Sequence, residues 1–404
     1  MRYSEKVIIL SVVASSFVFA TSGWRVAEQS ARAVALSGAY SAHVEGADSA
    51  FFNPANMSFN DDKHSFSISL MYMDSPSIHY EDARNSAYNG DSKQEDFLLP
   101  SLFYTSRAYD DFRFGLSITN PGWMSREWED PYPKAFAQEL TLKITELNPV
   151  VSYAVTPEVS IAGGVRVLYG KNVLKSDASG IGMDIQRDAE GNDWAFGYNL
   201  ALSYRPTSRL SLATTYRSKV NLKEEGNTRL YTNGKKVYDD DANVVIPSPA
   251  LFTLAASYEF EGGTTAEISY DRTFWSSYKV VDYEYNKPIP VGLQPIFDAP
   301  KSKNWSDTDT IRLGITQEIG DHYEVMFGAG YDRNGDDDRK IDSDGWFLSL
   351  GASYRIDERQ KIVFGYLYNA NEDQDLQVAN PKGVNGTFSN VETHLVSFSY
   401  NIAF

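Results

Sequence analysis

The last twelve residues read Thr393-His-Leu-Val-Ser-Phe-Ser-Tyr-Asn-Ile-Ala-Phe404, and their alternation decides the fold class. Strand side chains alternate with period two. Val396, Phe398, Tyr400, Ile402 and Phe404 therefore share one face, and Leu395, Ser397, Ser399, Asn401 and Ala403 share the other. A soluble sandwich buries such an apolar, aromatic face against a second sheet. A membrane barrel turns it to lipid and keeps the small polar face toward a wet lumen.

Working outward from this strand, thirteen more segments carry the same alternation. The full set is roughly 63–73, 96–108, 111–120, 138–155, 158–172, 193–205, 208–222, 249–260, 264–280, 307–319, 322–332, 344–356, 359–370 and 391–404. Phe112, Phe114, Leu116 and Ile118 share a face, as do Phe196, Tyr198, Leu200, Leu202 and Tyr204. Tight turns lie at Tyr109-Asp110, Thr156-Pro157, Pro206-Thr207, Glu261–Gly263, Gly320-Asp321 and Asp357-Glu358. Between them fall long polar loops near 74–95, 121–137, 173–192, 223–248, 281–306, 333–343 and 371–390. Outer-membrane barrels have short periplasmic turns and long extracellular loops, whereas a sandwich has no reason to put every long loop at one end. The pattern predicts an all-β, 14-stranded antiparallel transmembrane β-barrel over residues 62–404.

Composition agrees. Tyr (26) and Phe (22) are abundant, as aromatic girdles require. Mean hydropathy is −0.38, which a barrel tolerates because only alternate residues meet lipid. A net charge of −17 argues against nucleic acid as a partner. With no cysteine, disulfides, thiolate metal sites and Cys nucleophiles are excluded. Residues 1–20 read as a signal peptide: Arg2 and Lys6 precede the apolar run Val7–Ala20, which is too short to span a membrane and ends on a small residue. Export to the Gram-negative outer membrane is the expected localisation.

A fourteen-stranded lumen leaks unless filled, since sixteen to eighteen strands already leave an aqueous channel. Segment 21–61 precedes the first strand and lacks a long alternating run. Its apolar content (Trp24, Val34, Leu36, Tyr40, Phe51, Phe52, Met57, Phe59) is high for a disordered tail. It is read as an N-terminal hatch folded inside the barrel.

The hatch also carries a resemblance. Trp24-Arg-Val-Ala-Glu-Gln-Ser-Ala-Arg-Ala-Val-Ala-Leu-Ser-Gly-Ala-Tyr40 and Gly46-Ala-Asp-Ser-Ala-Phe-Phe-Asn-Pro-Ala-Asn-Met57 resemble the N-terminus of the FadL/TodX family of outer-membrane transporters for long-chain fatty acids and other hydrophobic compounds. Leu147–Tyr153, Thr273–Ser276, Asn304–Thr308, Ile311–Gly314, Gly330–Asp332 and Asp344–Tyr354 are similar to family segments in the family's order. The aromatic C-terminus also resembles the last strand of outer-membrane proteins. The resemblance implies a hatch, capture of hydrophobic small molecules at the outer loops, and lateral release into the membrane at a kink in the third strand. Contact with outer-membrane lipid and lipopolysaccharide, a monomer and no cofactor complete that expectation. Uptake of aromatic hydrocarbons is the alternative within the family.

Candidate site residues follow. Asn53-Pro54-Ala55 reads as a turn on its own, because Asn-Pro favours turn initiation; the family context makes it a gate beside the wall opening. Gly115 lies mid-run in the third strand, where Gly suggests a bulge or close backbone approach. Asn120-Pro-Gly122 ends that run, and the sequence does not choose between these two as the kink. Arg113, Arg166, Arg217, Glu259, Glu267, Asp271, Arg312, Glu324 and Arg355 fall on expected inward faces. Either they pair across the lumen and with the hatch, or one holds a ligand carboxylate; Arg166 and Arg312, with Phe51 and Phe52, are the expected contacts. Lys171 is added from the resemblance, as a match to a basic position of the fatty-acid transporters. Ile181, Met183 and Ile185 are read as a shallow apolar capture groove.

Metal and enzyme readings are poor. Asp332–Arg339 fails the EF-hand spacing, because Asp337 occupies the required Gly position. Its acids are read as a solvated loop able to share divalent cations with lipopolysaccharide phosphates. His43, His64, His79, His322 and His394 show neither ligand spacing nor a nucleophile elbow. An outer-membrane phospholipase needs a Ser–His pair on the outer wall, and His394 has no evident partner. A surface adhesin or phage receptor is the other rival.

Overall fold

The computed structural model describes residues 23–303, 305–333, 343–376 and 384–404. The expected signal peptide, and most of the acidic run after Asp332, lie outside the described residues.

The chain forms a closed, antiparallel, 14-stranded barrel. Its first six strands are β1 (Ser65–Ser75), β2 (Glu95–Thr105), β3 (Phe112–Glu127), β4 (Glu139–Ala154), β5 (Val159–Asp177) and β6 (Ile185–Tyr204). β7 comprises Leu210–Arg217 and its continuation Val220–Thr232, and β8 comprises Lys235–Ser248 and Leu251–Glu259. The remainder are β9 (Thr264–Thr273), β10 (Thr308–Ile319), β11 (Tyr323–Arg333), β12 (Gly345–Arg355), β13 (Gln360–Asn371) and β14 (Glu392–Ala403). β1 pairs with both β2 and β14, so the sheet has no free edge, as lipid demands of a strand-built span. In β14, Phe398 faces out at 60% exposure, while Ser397 and Ser399 are buried against the interior.

Two expected loops are strand. Residues 223–248 form most of a hairpin between β7 and β8, joined at Asn233-Gly234. Both turn residues have positive φ (50° and 68°), the requirement that makes Asn-Gly the preferred two-residue hairpin turn. Likewise β5 and β6 leave only residues 178–184 between them. The apolar alternation stops where lipid stops, but the hydrogen-bond ladder continues, so the sequence pattern ends before the strand does.

Residues 23–60 pack against the barrel interior. A short helix, α1 (Ala31–Ala35), is capped by Ser30, whose hydroxyl donates to Asp48 at 2.9 Å. Its small residues match glycines on three consecutive wall strands. A Cβ at Gly365 would lie 2.3 Å from the Ala31 carbonyl oxygen; at Gly351, 2.3 Å from the Ala35 Cβ; at Gly328, 2.3 Å from the Leu36 backbone. The polypeptide backbones of hatch and wall are in direct contact there, which only glycine permits. Gly365→Val is expected to lift α1 off the wall and raise single-channel conductance in planar bilayers, with heat-modifiable migration retained. A baseline identical to wild type would show that α1 does not seal this part of the lumen.

Inward charges tie the hatch down. Glu267 accepts hydrogen bonds from the backbone amides of Ser41, Ala42 and His43. Glu324 pairs with Arg32 at 2.6 Å and Lys361 at 3.1 Å, and Arg113 donates to the carbonyls of Asn60 and Asp61. Glu259 and Arg355 instead are exposed at the turn end of the barrel.

Candidate functional site

The wall between β2 and β3 is incomplete. The two strands pair only from Leu102↔Ile118 to Thr105↔Gly115. Beyond the outer end of β2 the two segments meet again at the bridge Ser92↔Trp128, where the Lys93 amide also donates to the Glu127 carbonyl at 2.8 Å. Between these points no ladder joins residues 94–101 to 119–126. The cause is local. β3 advances from Thr119 to Gly122 while β4 advances only from Glu146 to Ile144, so Asn120-Pro121 inserts one extra residue, a β-bulge. Proline has no N–H for the ladder, and the one-residue slip reverses the faces of everything beyond it.

Side chains and the hatch fill the opening. The Asn120 side-chain amide donates to the Pro100 carbonyl at 2.7 Å, Ser125 donates to Glu95 at 2.8 Å, and the Phe97 and Trp123 rings lie 5.5 Å apart across the gap. From inside, the Val26 amide donates to the Pro121 carbonyl at 3.0 Å and the Trp123 amide to the Trp24 carbonyl at 2.9 Å. Gln29 accepts from the Asn120 amide at 2.7 Å and donates to its carbonyl at 3.0 Å. Segment 24–29 thus takes the hydrogen bonds that a neighbouring strand would otherwise take, as a lipid-exposed wall requires.

Three cavities meet at this segment. One lies behind the gap, between Arg25, Val26, Phe97, Trp123 and Met124. A second reaches from Trp24 and Pro121 past Phe51, Phe52 and Ile144 to Arg166 and Arg217. The third lies toward the outer loops and is lined by Trp24, Leu142, Val173, Val244, Ile246, Tyr278, Tyr283 and Trp305 together with Arg187, Lys301 and Lys303. Trp24 separates it from the second cavity and packs against Trp275 (4.7 Å), Tyr278 (5.5 Å) and Trp305 (5.5 Å).

The three cations of the outer cavity are its distinctive feature. Arg187 is 3% exposed, stacks on Tyr283 and Phe297, and has no hydrogen-bond partner for Nε or Nη1 among the described residues. Lys301 and Lys303 lie on the connection between β9 and β10, and neither has an ion pair among the described residues. Burial pulls Lys301 well below the usual lysine range, with help from Arg187 and Lys303, and pulls Lys303 down to about 8. Desolvated cations without counter-charges are costly in the empty cavity and are relieved by an anion.

The expected site residues are dispersed. Asn53 donates to the Ser41 carbonyl at 2.8 Å and to Ser203 on β6 at 2.9 Å, and accepts from the Ala55 amide. Asn53-Pro54-Ala55 thus starts a 3₁₀ turn against β6 and does not touch the gap. Gly115 lies in the paired part of β3, where a Cβ would meet Met57 and Ala50; it makes room for the hatch, and the wall breaks at Asn120-Pro121. Arg166 is held by Glu146 at 2.8 Å and by the Ser218 carbonyl, although it lines the second cavity with Phe51 and Phe52. Arg312 is held by Asp271 at 2.6 Å. Lys171 is exposed on the outward face of β5, because alternation points Arg166, Leu168 and Gly170 inward. Met183 and Ile185 are buried, and Ile181 packed, in a cluster with Trp128, Phe136, Leu230 and Phe297, so they form no open groove. Sequence reasoning missed Gln29, Phe97, Trp123, Arg187, Lys301 and Lys303. Two lysines one residue apart beside Trp305, in a loop read as polar, were the available signal.

Residues 11–404 match the model of a family described as outer membrane protein transport protein (OMPP1/FadL/TodX). The chain belongs to the OMPP1/FadL/TodX family. It is 22% identical over 317 residues to the long-chain fatty acid transport protein of Salmonella typhi, spanning 69% of this chain and 70% of that protein. It is 22% identical to outer membrane protein P1 of Haemophilus influenzae over 58% of this chain and 57% of that one. The fold matches a crystal structure of a Pseudomonas aeruginosa FadL homologue with a TM-score of 0.80 at 19% identity, covering 96% and 99% of the two chains. It matches the toluene transporter TbuX of Ralstonia pickettii with a TM-score of 0.72 at 16% identity, covering 93% and 98%. As a FadL/TodX-family barrel the protein resides in the outer membrane and transports hydrophobic compounds; family and fold are those of transport channels.

Proposed function

We propose that this family member takes up amphipathic acids of the long-chain fatty acid class and releases them laterally between β2 and β3. One observation carries the choice of acid: Arg187, Lys301 and Lys303 line a cavity whose other walls, apart from Thr141 and Asn172, are apolar and aromatic, and none of the three has an anionic partner among the described residues. A toluene-like hydrocarbon leaves three desolvated cations uncompensated, whereas a carboxylate supplies charge-assisted hydrogen bonds and its alkyl chain covers the aliphatic wall. The cavity containing Phe97 and Trp123 then continues the path from Trp24 to the gap, where an oily chain re-enters lipid without crossing a polar pore.

The test is binding by purified protein in detergent, followed by tryptophan fluorescence, since Trp24 and Trp305 line the cavity. Dodecanoate is expected to bind at least about ten-fold tighter than dodecanol, the effect of ~1.5 kcal/mol for one charged hydrogen bond. Equal affinities, or tighter binding of toluene than of either, would transfer the assignment to uncharged hydrocarbons. The pH dependence has a definite sign. Lys303 has a lowered pKa of about 8 in the empty cavity, so its ammonium is present below that pH and lost above it. Dodecanoate affinity should therefore fall as pH rises through about 8 and beyond, while dodecanol affinity stays level; a flat acid profile would remove Lys303 from the contact.

A further inference from the structure

The outward position of Lys171 leaves a lysine without an assigned role, and the register supplies it with a second. Lys171 of β5 lies directly opposite Lys143 of β4. Like charges directly opposite across a ladder are destabilising. Neither ammonium has an ion pair among the described residues, although Lys175, four pairs farther out, is neutralised by Glu139 at 2.7 Å. The residue facing Lys171 on β6 is the neutral Asn192. Lys143 rests over the Trp123 ring at 4.6 Å, at the edge of the wall opening.

The height of this pair identifies what neutralises it. On the same outward face, Tyr169 and Trp194 form an aromatic contact at 4.9 Å, with Trp194 60% exposed. Below them Phe196, Tyr198, Leu200 and Leu202 are all exposed. Apolar residues end at an aromatic pair, which is how a barrel marks the membrane interface. Lys171 is two residues beyond Tyr169, about 7 Å farther along the strand. That places both ammonium groups at the level of lipid headgroups on the extracellular side, where the outer leaflet presents the phosphorylated glucosamines of lipid A.

We propose that Lys143 and Lys171 bind a phosphate group of lipid A, seating one lipopolysaccharide molecule beside the opening between β2 and β3. The phosphate lies between two ammoniums that otherwise repel, and the acyl chains lie along the exposed aromatic and aliphatic face below. The Trp123 ring holds one of the two cations in place and ties the seat to the edge through which ligand leaves.

Native mass spectrometry of the purified full-length barrel tests this, with bisphosphorylated lipid A, the same lipid stripped of both phosphates, and inorganic phosphate as separate probes. Wild type is expected to retain bisphosphorylated lipid A about thirty-fold better than the K143Q/K171Q double variant, from two surface lysines. K143R/K171R should restore retention, and the dephosphorylated lipid should be retained weakly and equally by all three. Heat-modifiable migration confirms that each variant is folded, and both positions are on the surface of an intact ladder. Equal retention of lipid A by wild type and double variant would overturn the proposal, as would equal retention of phosphorylated and stripped lipid. Displacement of lipid A by inorganic phosphate at comparable concentration would also overturn it, because the seat would then be an anion site indifferent to lipid.

Discussion

Neutralising the outer cavity is expected to separate acid binding from hydrocarbon binding. In the triple variant R187Q/K301Q/K303Q, dodecanoate affinity should fall about one hundred-fold, because one or two charge-assisted contacts each contribute ~1.5–3 kcal/mol. Dodecanol affinity should change by no more than about three-fold, since the lining of Leu142, Val173, Val244 and Ile246 is untouched. Single substitutions should lose less than their share of the total, as groups acting on one ligand atom are not additive. The free protein carries a second signature. Arg187 is buried, Lys301 and Lys303 are half-buried, and none has a counter-charge among the described residues; this opposes folding, so the ligand-free triple variant should unfold at a higher temperature than ligand-free wild type. A parallel loss for both ligands would mean that the substitutions collapsed the cavity, and a loss for neither would place the acid elsewhere.

Bridging the gap is expected to stop transport while leaving capture intact. The chain has no cysteine, so Phe97→Cys and Trp123→Cys can be joined by a short bis-methanethiosulfonate, which forms a disulfide to each thiol with loss of methanesulfinate; the two rings are 5.5 Å apart. Crosslinked protein should take up labelled dodecanoate at least about ten-fold more slowly, with binding at the outer cavity within two-fold of the unlinked form. Cutting a cleavable linker should restore uptake. If transport proceeds normally through fully crosslinked protein, the acid does not pass between β2 and β3, and a route down the lumen past the hatch becomes the better account. Wall chemistry supports the lateral path: the β2–β3 ladder stops beside the Asn120-Pro121 bulge, and Gln29 and segment 24–26 satisfy the backbone thereby released.

Much of the barrel was legible because lipid imposes a period-two code. β14, β3 and the lower part of β6 turn out the very residues whose alternation marked them. The upper hairpin of β7 and β8 was not legible as strand, since Lys223 to Asp241 stand above the lipid and need no apolar face. Only its Asn233-Gly234 turn gave it away. The hatch was readable from its small and apolar residues, but its seating was not, because Gly328, Gly351 and Gly365 lie on three strands that the fold alone brings under α1. The site was the least readable part. Arg166 and Arg312 were visible as inward cations, yet a sequence cannot show that Glu146 and Asp271 already hold them. Lys171 was drawn from likeness to relatives, and an alternation argument applied from Arg166 would have turned it outward. Arg187 lies at the outer end of β6 and Lys301 and Lys303 on the β9–β10 connection, and their meeting with Trp24 around one cavity exists only in three dimensions. Gln29 left no mark, because a glutamine in an Ala- and Ser-rich segment is unremarkable until a bulge faces it.

The account rests on an acid lying head-outward in the cation-lined cavity with its chain directed at Trp24. The measurement that reaches this directly is a crystal structure with dodecanoic acid brominated at the terminal carbon, located by anomalous scattering. The bromine peak should fall beside Trp24, between the outer cavity and the opening, with the carboxylate within hydrogen-bond distance of Arg187, Lys301 or Lys303. A bromine peak elsewhere in the lumen, with the carboxylate on Arg166 or Arg312, or an empty outer cavity at saturating ligand, would contradict it.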